Sequence, residues 1–179
     1  MSVLTLAQVT ERALNPALEI LPPSLDTKEA RVLLLTIGDQ ESNYEHRRQL
    51  VGKPPRPTGP AKSFWQGERG GGMVQGVRTH KHTKKLAEVV YADRGVPAEN
   101  QAIWDTIEHD DVLAAALARL LLYSDPFVLP KLGDEEAAWQ YYLRTWRPGA
   151  YTNGTPEQRA DLRSKWGRKY QKALKYVNG

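Results

Sequence analysis

Two stretches of this chain are so apolar that they must form buried helices. The first is "VLLLTIG" at 32–38, and the second is "VLAAALARLLLY" at 112–123, which only Arg119 interrupts. A helix that is apolar on most sides has to be surrounded by other elements. We therefore predict two central helices, over 27–42 and 111–124, in a mainly α fold.

Amphipathic segments are available to cover these central helices. The last of them opens with "TPEQ", a pattern typical of a helix that has a Thr cap and Pro at its first position. The 179 residues suffice for a single domain. We divide it into an N-terminal helix (1–26), a core (27–149) and a basic C-terminal helix (155–177). The covering helices are predicted over 4–20, 81–93, 98–108, 134–146 and 155–176.

The region 43–79 breaks the helical pattern. Four prolines lie between positions 54 and 60, and three glycines follow at 70–72. Long loops within compact domains usually carry function or are disordered, and the Phe and Trp in this one favour order. We expect a long ordered loop with a small β-hairpin around 64–78.

The charge of the chain suits a polyanionic partner. The formal net charge is +4 and the pI about 9.3, and the excess is concentrated in 46–62 and 159–176. A bacterial cell wall, an anionic membrane surface and nucleic acid all fit this charge. The alternative is a solvated basic face. No helix-turn-helix spacing or zinc pattern is present, so we expect no specific nucleic-acid recognition.

Composition excludes several other classes of protein. The chain has no cysteine, which rules out disulfides and thiolate metal sites. His80 and His82 would need a third ligand to hold zinc, and no carboxylate lies at a spacing typical of a metal ligand. The N-terminus is amphipathic, unlike a secretory signal, and no apolar run is long enough to span a membrane. We expect a monomer without a signal peptide, metal or cofactor.

Glu41 is the residue that the helical pattern singles out. It follows Leu34 and Ile37 at helical spacing, so it lies on the face of the helix that carries apolar residues. A carboxyl group among apolar side chains has a raised pKa, which a general acid needs near neutral pH. The alternative is that Glu41 turns outward at the last turn, or pairs with Arg47 or Arg48.

Two short motifs resemble the soluble lytic transglycosylases and goose-type lysozymes. That family carries a Glu-Ser pair at the end of a buried helix, which Glu41 and Ser42 match. It then has a "GxxGLMQ" stretch, which "GPAKSFWQ" at 59–66 resembles, with Ser63 at the second glycine. The family's Tyr-Asn-x-Gly motif is not found as such, and Tyr141 and Tyr142 are the candidates for its tyrosine. The resemblance covers about 27–149 and implies a lysozyme-like fold.

The resemblance implies cleavage of β-1,4 glycosidic bonds in peptidoglycan, with Glu41 as the general acid. In a hydrolase a second carboxylate assists, and Glu68 is the candidate, unless it merely forms an ion pair with Arg69 or a nearby lysine. In a lytic transglycosylase Glu41 also acts as the base, and the 6-hydroxyl of the sugar closes an anhydro ring. Both routes remain open.

Sugar sites combine aromatic faces with amide and hydroxyl groups, and several residues could supply them. Tyr142 shares a helical stripe with Trp139 and Trp146, which favours packing for that stripe. Tyr141 lies off the stripe and is the better ligand candidate. Gln66 could bind an N-acetyl group or orient Glu41. The candidate substrate-binding residues are Ser42, Tyr44, Phe64, Trp65, Gln66, Tyr141 and Tyr142.

The same resemblance places the protein among bacteriophage lysis proteins. It would remain in the host cytoplasm before release to the periplasm or cell wall, or be carried in the virion. Its basic C-terminal helix could contact an anionic membrane or wall surface. The alternatives are an inactive lysozyme-like phage structural or wall-binding protein, and a basic nucleic-acid-binding protein.

Overall fold

A computed structural model describes residues 3–179 as a mainly helical fold with one two-stranded antiparallel sheet. Two short π-helical segments, Thr10–Leu14 and Gly72–Gly76, interrupt or precede α-helices. The elements in chain order are α1 (Leu6–Val9), α2 (Asn15–Ile20), α3 (Lys28–Ser42), β1 (Arg48–Val51), β2 (Arg56–Lys62), α4 (Val77–Thr79), α5 (Lys84–Arg94), α6 (Asn100–Ile107), α7 (Asp111–Ser124), α8 (Glu135–Trp146), α9 (Gly149–Thr152) and α10 (Pro156–Asn178).

The two apolar stretches form the central helices α3 and α7, as predicted. Thr27 caps α3 by accepting a hydrogen bond from the amide of Ala30, and Asp110 caps α7 in the same way from Leu113. Ten of the 14 residues of α7 are buried, including Arg119. The two helices contact each other, and the remaining helices surround them.

The N-terminal segment is helical over the predicted range, but not as one regular α-helix. The π-helical segment Thr10–Leu14 lies between α1 and α2. Pro16 is the second residue after this segment; it has no amide hydrogen, and its ring would collide with a carbonyl in the preceding turn. Widening that turn into a π segment accommodates the proline. The segment still buries its apolar face, including Val9, Leu14 and Leu18.

The small hairpin exists, but it lies earlier in the chain than 64–78. Its strands are β1 and β2, paired antiparallel with a register shift between Arg48 and Leu50. A two-stranded sheet consists only of edges, where prolines need not donate hydrogen bonds, so the proline-rich stretch can be a strand. The glycine-rich stretch expected to form a strand instead enters the π segment Gly72–Gly76 and α4.

The basic helix α10 packs along α3 and so forms one wall beside Glu41. Its predicted Thr cap is confirmed, with reciprocal hydrogen bonds between Thr155 and Gln158. Trp166 and Tyr170 are buried against the rest of the domain. Within the part of the chain that the structure describes, no helix is both long and apolar enough to cross a bilayer.

Candidate active site

Glu41 lies in the last turn of α3 and faces a cleft. Asn43 ends the helix in the left-handed conformation, with its amide donating to the carbonyl of Asp39. Neither expected arginine reaches Glu41, because Arg47 pairs with Asp111 at 2.8 Å and Arg48 donates to the carbonyl of Gly59. The alternative that Glu41 pairs with Arg47 or Arg48 is therefore wrong, and the alternative that it turns outward is wrong as well, because it lines the cleft and accepts from Tyr142.

The surroundings of Glu41 favour its protonated form. The side chain is only partly accessible, and burial raises the pKa of the Glu41 carboxyl group to about 7. Two smaller effects act in the opposite direction. The hydroxyl of Tyr142 donates a hydrogen bond of 2.6 Å to Oε2 of Glu41, and the nearby Lys169 ammonium stabilises the carboxylate. Glu41 can thus both hold and release a proton near neutral pH.

Tyr142 is fixed in place by an aromatic cluster. Its ring stacks on Trp166 of α10, with centroids 4.7 Å apart and planes 16° apart. Trp139, one turn earlier on α8, contacts both rings. The packing predicted for this stripe is therefore confirmed for Trp139 and Tyr142. The same packing aims the Tyr142 hydroxyl at Glu41, so one side chain is both core and site.

Tyr141, expected to be the better ligand candidate, lies away from the cleft. It is buried, and its hydroxyl donates to the carbonyl of Leu122 at 2.8 Å. Neighbouring positions on a helix point about 100° apart, so only one of the two tyrosines can face Glu41. The structure gives that place to Tyr142, which corrects the preference for Tyr141.

Ser42 and Tyr44 hold the end of α3 and do not face the cleft as substrate ligands. The Ser42 hydroxyl donates to the carbonyl of Gly38 and accepts from the amide of Tyr44. The Tyr44 hydroxyl donates to the carbonyl of Leu35 at 2.8 Å, and both side chains are buried. A side chain at Gly38 would collide with the Tyr44 ring, so this glycine allows the ring to lie against the helix.

Phe64 and Trp65 are core residues as well, contrary to the sugar-stacking hypothesis. Phe64 is 2% exposed and Trp65 is 0% exposed. The Trp65 indole donates to the carbonyl of Leu34 at 2.9 Å, which anchors the loop to α3. Ser63 and Gln66 on either side adopt left-handed backbone conformations. These two reversals direct both rings inward and leave Gln66 at the cleft.

The cleft brings together Glu41, Gln66, Glu68 and Tyr142. Its volume is about 410 Å³, within the range typical of small-molecule sites. Gln66 donates from its amide nitrogen to the carbonyl of Ser63, so its side-chain oxygen remains an acceptor. Glu68 is exposed at the rim, and no ion pair with Arg69 forms, since Arg69 binds Gln101.

Several lining residues were not anticipated from the sequence. Gln40 and Gln49 add amides, while Arg147 and Tyr151 add a cation and an aromatic ring. The available signal for the last two was "RPGAYTNG" at 147–154, a turn-rich stretch between two predicted helices. Gln40 adjoins Glu41 in sequence, but it donates to the carbonyl of Leu162 on α10, a contact that spacing alone does not reveal.

The residues described, 3–179, contain no cluster of side chains that could hold a metal ion. Within that range no group of three or more His, Asp or Glu side chains is close enough to hold an ion. The rings of His80 and His82 lie 5.4 Å apart and recruit no third ligand from the described residues.

Comparison with known proteins yields no relative of this chain: no family model, no curated protein and no solved structure matches it. The geometry of the site is therefore the basis on which a function can be proposed.

Proposed function

We propose that the protein cleaves β-1,4 glycosidic bonds in the glycan strands of bacterial peptidoglycan, on a lysozyme-like fold. The observation that carries the proposal is Glu41: a carboxyl group with a pKa of about 7, hydrogen-bonded to Tyr142, in an open cleft. At neutral pH a large fraction of such groups is protonated, as a general acid requires.

In the proposed reaction Glu41 transfers its proton to the glycosidic oxygen as the bond from that oxygen to the anomeric carbon breaks. The sugar develops oxocarbenium character, and Glu41 becomes a carboxylate, which the Tyr142 hydroxyl and the Lys169 ammonium stabilise. The carboxylate then removes a proton from the attacking oxygen. That oxygen belongs to water in hydrolysis, or to the 6-hydroxyl of the same sugar in transglycosylation.

Other groups in the cleft suit an N-acetylated glycan with acidic peptide stems. The Gln66 side-chain oxygen can accept from an acetamido N–H, and Gln49 supplies a further amide. Arg147 at the rim can pair with a carboxylate of the stem. Glu68 is the second carboxylate available to assist a hydrolytic reaction.

The proposed substrate, peptidoglycan, also bears on where the protein acts. In this proposal it is a bacteriophage protein that stays in the host cytoplasm until it is released to the periplasm or cell wall, or that is carried in the virion. The basic α10 would contact an anionic wall or membrane surface, although several of its cations already bind the domain. Arg163 pairs with Glu135 at 2.8 Å, and Lys172 lies 3.5 Å from Asp39.

The test is digestion of purified peptidoglycan, followed by mass spectrometry of the released fragments. We expect the wild type to release muropeptides and Glu41→Gln to release almost none. Glu45→Gln is the matched control, because Glu45 lies four residues further on and does not line the cleft. Fragments lacking one water would indicate the anhydro sugar, whereas reducing ends would indicate hydrolysis.

Equal release by wild type and Glu41→Gln would refute the proposal. Binding to the wall without release by either protein would favour the inactive wall-binding alternative.

A further inference from the structure

A second pocket, of about 440 Å³, lies beside Tyr141 and shares no lining residue with the Glu41 cleft. It is formed where α7 ends and the following loop folds back. Its walls include Arg119 from α7, Tyr141 from α8, and Phe127 and Val128 from the loop. The pocket combines one deeply buried cation with a mostly apolar rim.

Arg119 is an uncommon group to find on such a helix. Its side chain is among the buried residues, only 4% exposed, on a helix whose other buried members are all apolar. Its Nε donates to the carbonyl of Leu25 at 2.8 Å, while Nη1 has no hydrogen-bond partner. Burying a guanidinium without a counter-charge is costly, and burial accordingly lowers the pKa of Arg119.

The carboxylates near the pocket form no ion pair with Arg119, although the charge of Asp26 favours the charged guanidinium from a distance. Asp125 pairs with Arg144 at 2.7 Å, and Asp26 pairs with Arg31 at 2.7 Å. Glu29 and Lys131 also line the pocket and contribute one negative and one positive charge. Among the described residues no ion pair involves Arg119.

The rim exposes apolar side chains that a soluble ligand could cover. Phe127 is 67% exposed, Val128 is 91% exposed, and Tyr123 is 44% exposed. The Tyr141 hydroxyl is directed at the carbonyl of Leu122, so its ring forms part of the wall. Large exposed apolar groups next to a buried cation are complementary to an amphipathic anion.

We propose that this pocket binds a small carboxylate that bears an apolar group. The carboxylate would accept hydrogen bonds from the Arg119 guanidinium, and the apolar part would lie on Phe127 and Val128. A short fatty acid and the C-terminal carboxylate of an apolar peptide share this chemistry. Because the two sites have separate linings, this inference does not depend on the proposed glycan cleavage.

Two pairs of probes test the site by NMR titration of the ¹⁵N-labelled protein. Octanoate is compared with octanol, and N-acetyl-leucine with N-acetyl-leucinamide, so that each pair differs in the carboxylate. We expect the carboxylates to shift the amides of Tyr123, Phe127 and Val128, and to bind at least about tenfold more tightly than the neutral partners. Tighter binding of octanoate would identify the ligand as a fatty acid, and tighter binding of N-acetyl-leucine would identify it as a peptide C-terminus.

Substitutions then locate the two halves of the site. Arg119→Gln should weaken carboxylate binding at least about tenfold. Phe127→Ser, at a largely exposed position whose ring contacts only the Arg144 guanidinium among the charged groups described, should weaken it about threefold or more. Arg168→Gln, on the exposed face of α10, is the matched control and should leave binding unchanged.

The proposal is overturned if neither carboxylate binds, if the neutral analogues bind equally well, or if folded Arg119→Gln binds like the wild type. Should Arg119→Gln fail to fold, Phe127→Ser and the neutral analogues decide the matter in the same way.

Discussion

Glu41 and Glu68 line the same cleft, but the protein treats the two carboxyl groups differently. Glu41 projects from the end of a buried helix, accepts a hydrogen bond from Tyr142, and has its pKa raised to about 7. Glu68 lies in an exposed loop, and its side chain has no hydrogen-bond or ion-pair partner among the described residues. An identical functional group becomes a candidate acid only where the fold removes water from it and fixes its direction.

Tyr141 and Tyr142 make the same distinction on α8. Both are buried and both hydroxyls are used, but one donates to a backbone carbonyl and the other to Glu41. The first only holds α8 to the end of α7, whereas the second lowers the pKa of the Glu41 carboxyl group. This pair therefore provides a control within one helical turn.

The largest expected effect is on the rate of the proposed peptidoglycan cleavage. Glu41→Gln keeps the size of the side chain but removes the transferable proton, so we expect the rate to fall about a thousandfold. The measurement is the initial rate of muropeptide release, with circular dichroism to establish that the variant is folded. A loss smaller than that of Glu68→Gln would reverse the roles of the two carboxylates.

The next effect is on stability. The pKa of Glu41 is raised from 4.5 to about 7 in the folded state. Between these two pH values the folded protein therefore holds a proton that the unfolded chain has released. Wild-type stability should therefore fall as pH rises from about 4.5 to 7, and Glu41→Gln should lack this loss. At pH 8 we expect the variant to be roughly 3 kcal/mol more stable than the wild type.

Urea denaturation at several pH values measures this difference, which should vanish near pH 4. Glu68→Gln, altered at an exposed position, should follow the wild type throughout. A pH-independent difference between Glu41→Gln and the wild type would contradict the burial of Glu41.

A smaller effect is expected from Tyr142→Phe. The Tyr142 hydroxyl stabilises the Glu41 carboxylate, so its removal should raise the pKa of Glu41 further and move the alkaline limb of the pH–rate profile upward. Loss of this hydrogen bond should also cost about 1 kcal/mol of stability. Tyr141→Phe is the matched control and should leave the pH–rate profile in place. Equal shifts in both variants would show that the Tyr142–Glu41 hydrogen bond does not set the pH dependence.

The smallest effect is expected from Glu68→Gln. Since solvent screens an exposed charge, we expect the rate of muropeptide release to fall by less than about tenfold. The same fragments should be analysed by mass, because a larger loss accompanied by reducing-end products would make Glu68 the second carboxylate of a hydrolase.

The helices and the orientation of Glu41 could be predicted because both depend on local periodicity. Apolar residues at helical spacing defined α3 and α7, and the same spacing placed Glu41 on the inner face of α3. Local periodicity could not show which of Tyr141 and Tyr142 faces Glu41. It depends on the stacking of Tyr142 against Trp166 on a distant helix.

The prediction that the loop aromatics bind substrate was wrong for a different reason. Tyr44 itself, and Ser63 and Gln66 around the pair Phe64 and Trp65, adopt left-handed backbone conformations without being glycine. Such conformations are uncommon for these residue types, so the sequence carries no sign of the reversals that turn the rings into the core. Hairpin placement failed similarly, because prolines that exclude a central strand are tolerated in an isolated two-stranded ribbon.

The most direct test of the account is a ¹³C NMR titration of the Glu41 carboxyl group, assigned by its absence in Glu41→Gln. We predict a pKa of about 7 that coincides with the alkaline limb of the wild-type pH–rate profile. A Glu41 carboxyl group that titrates near 4.5, or activity that continues unchanged above the measured pKa, would contradict its role as the acid.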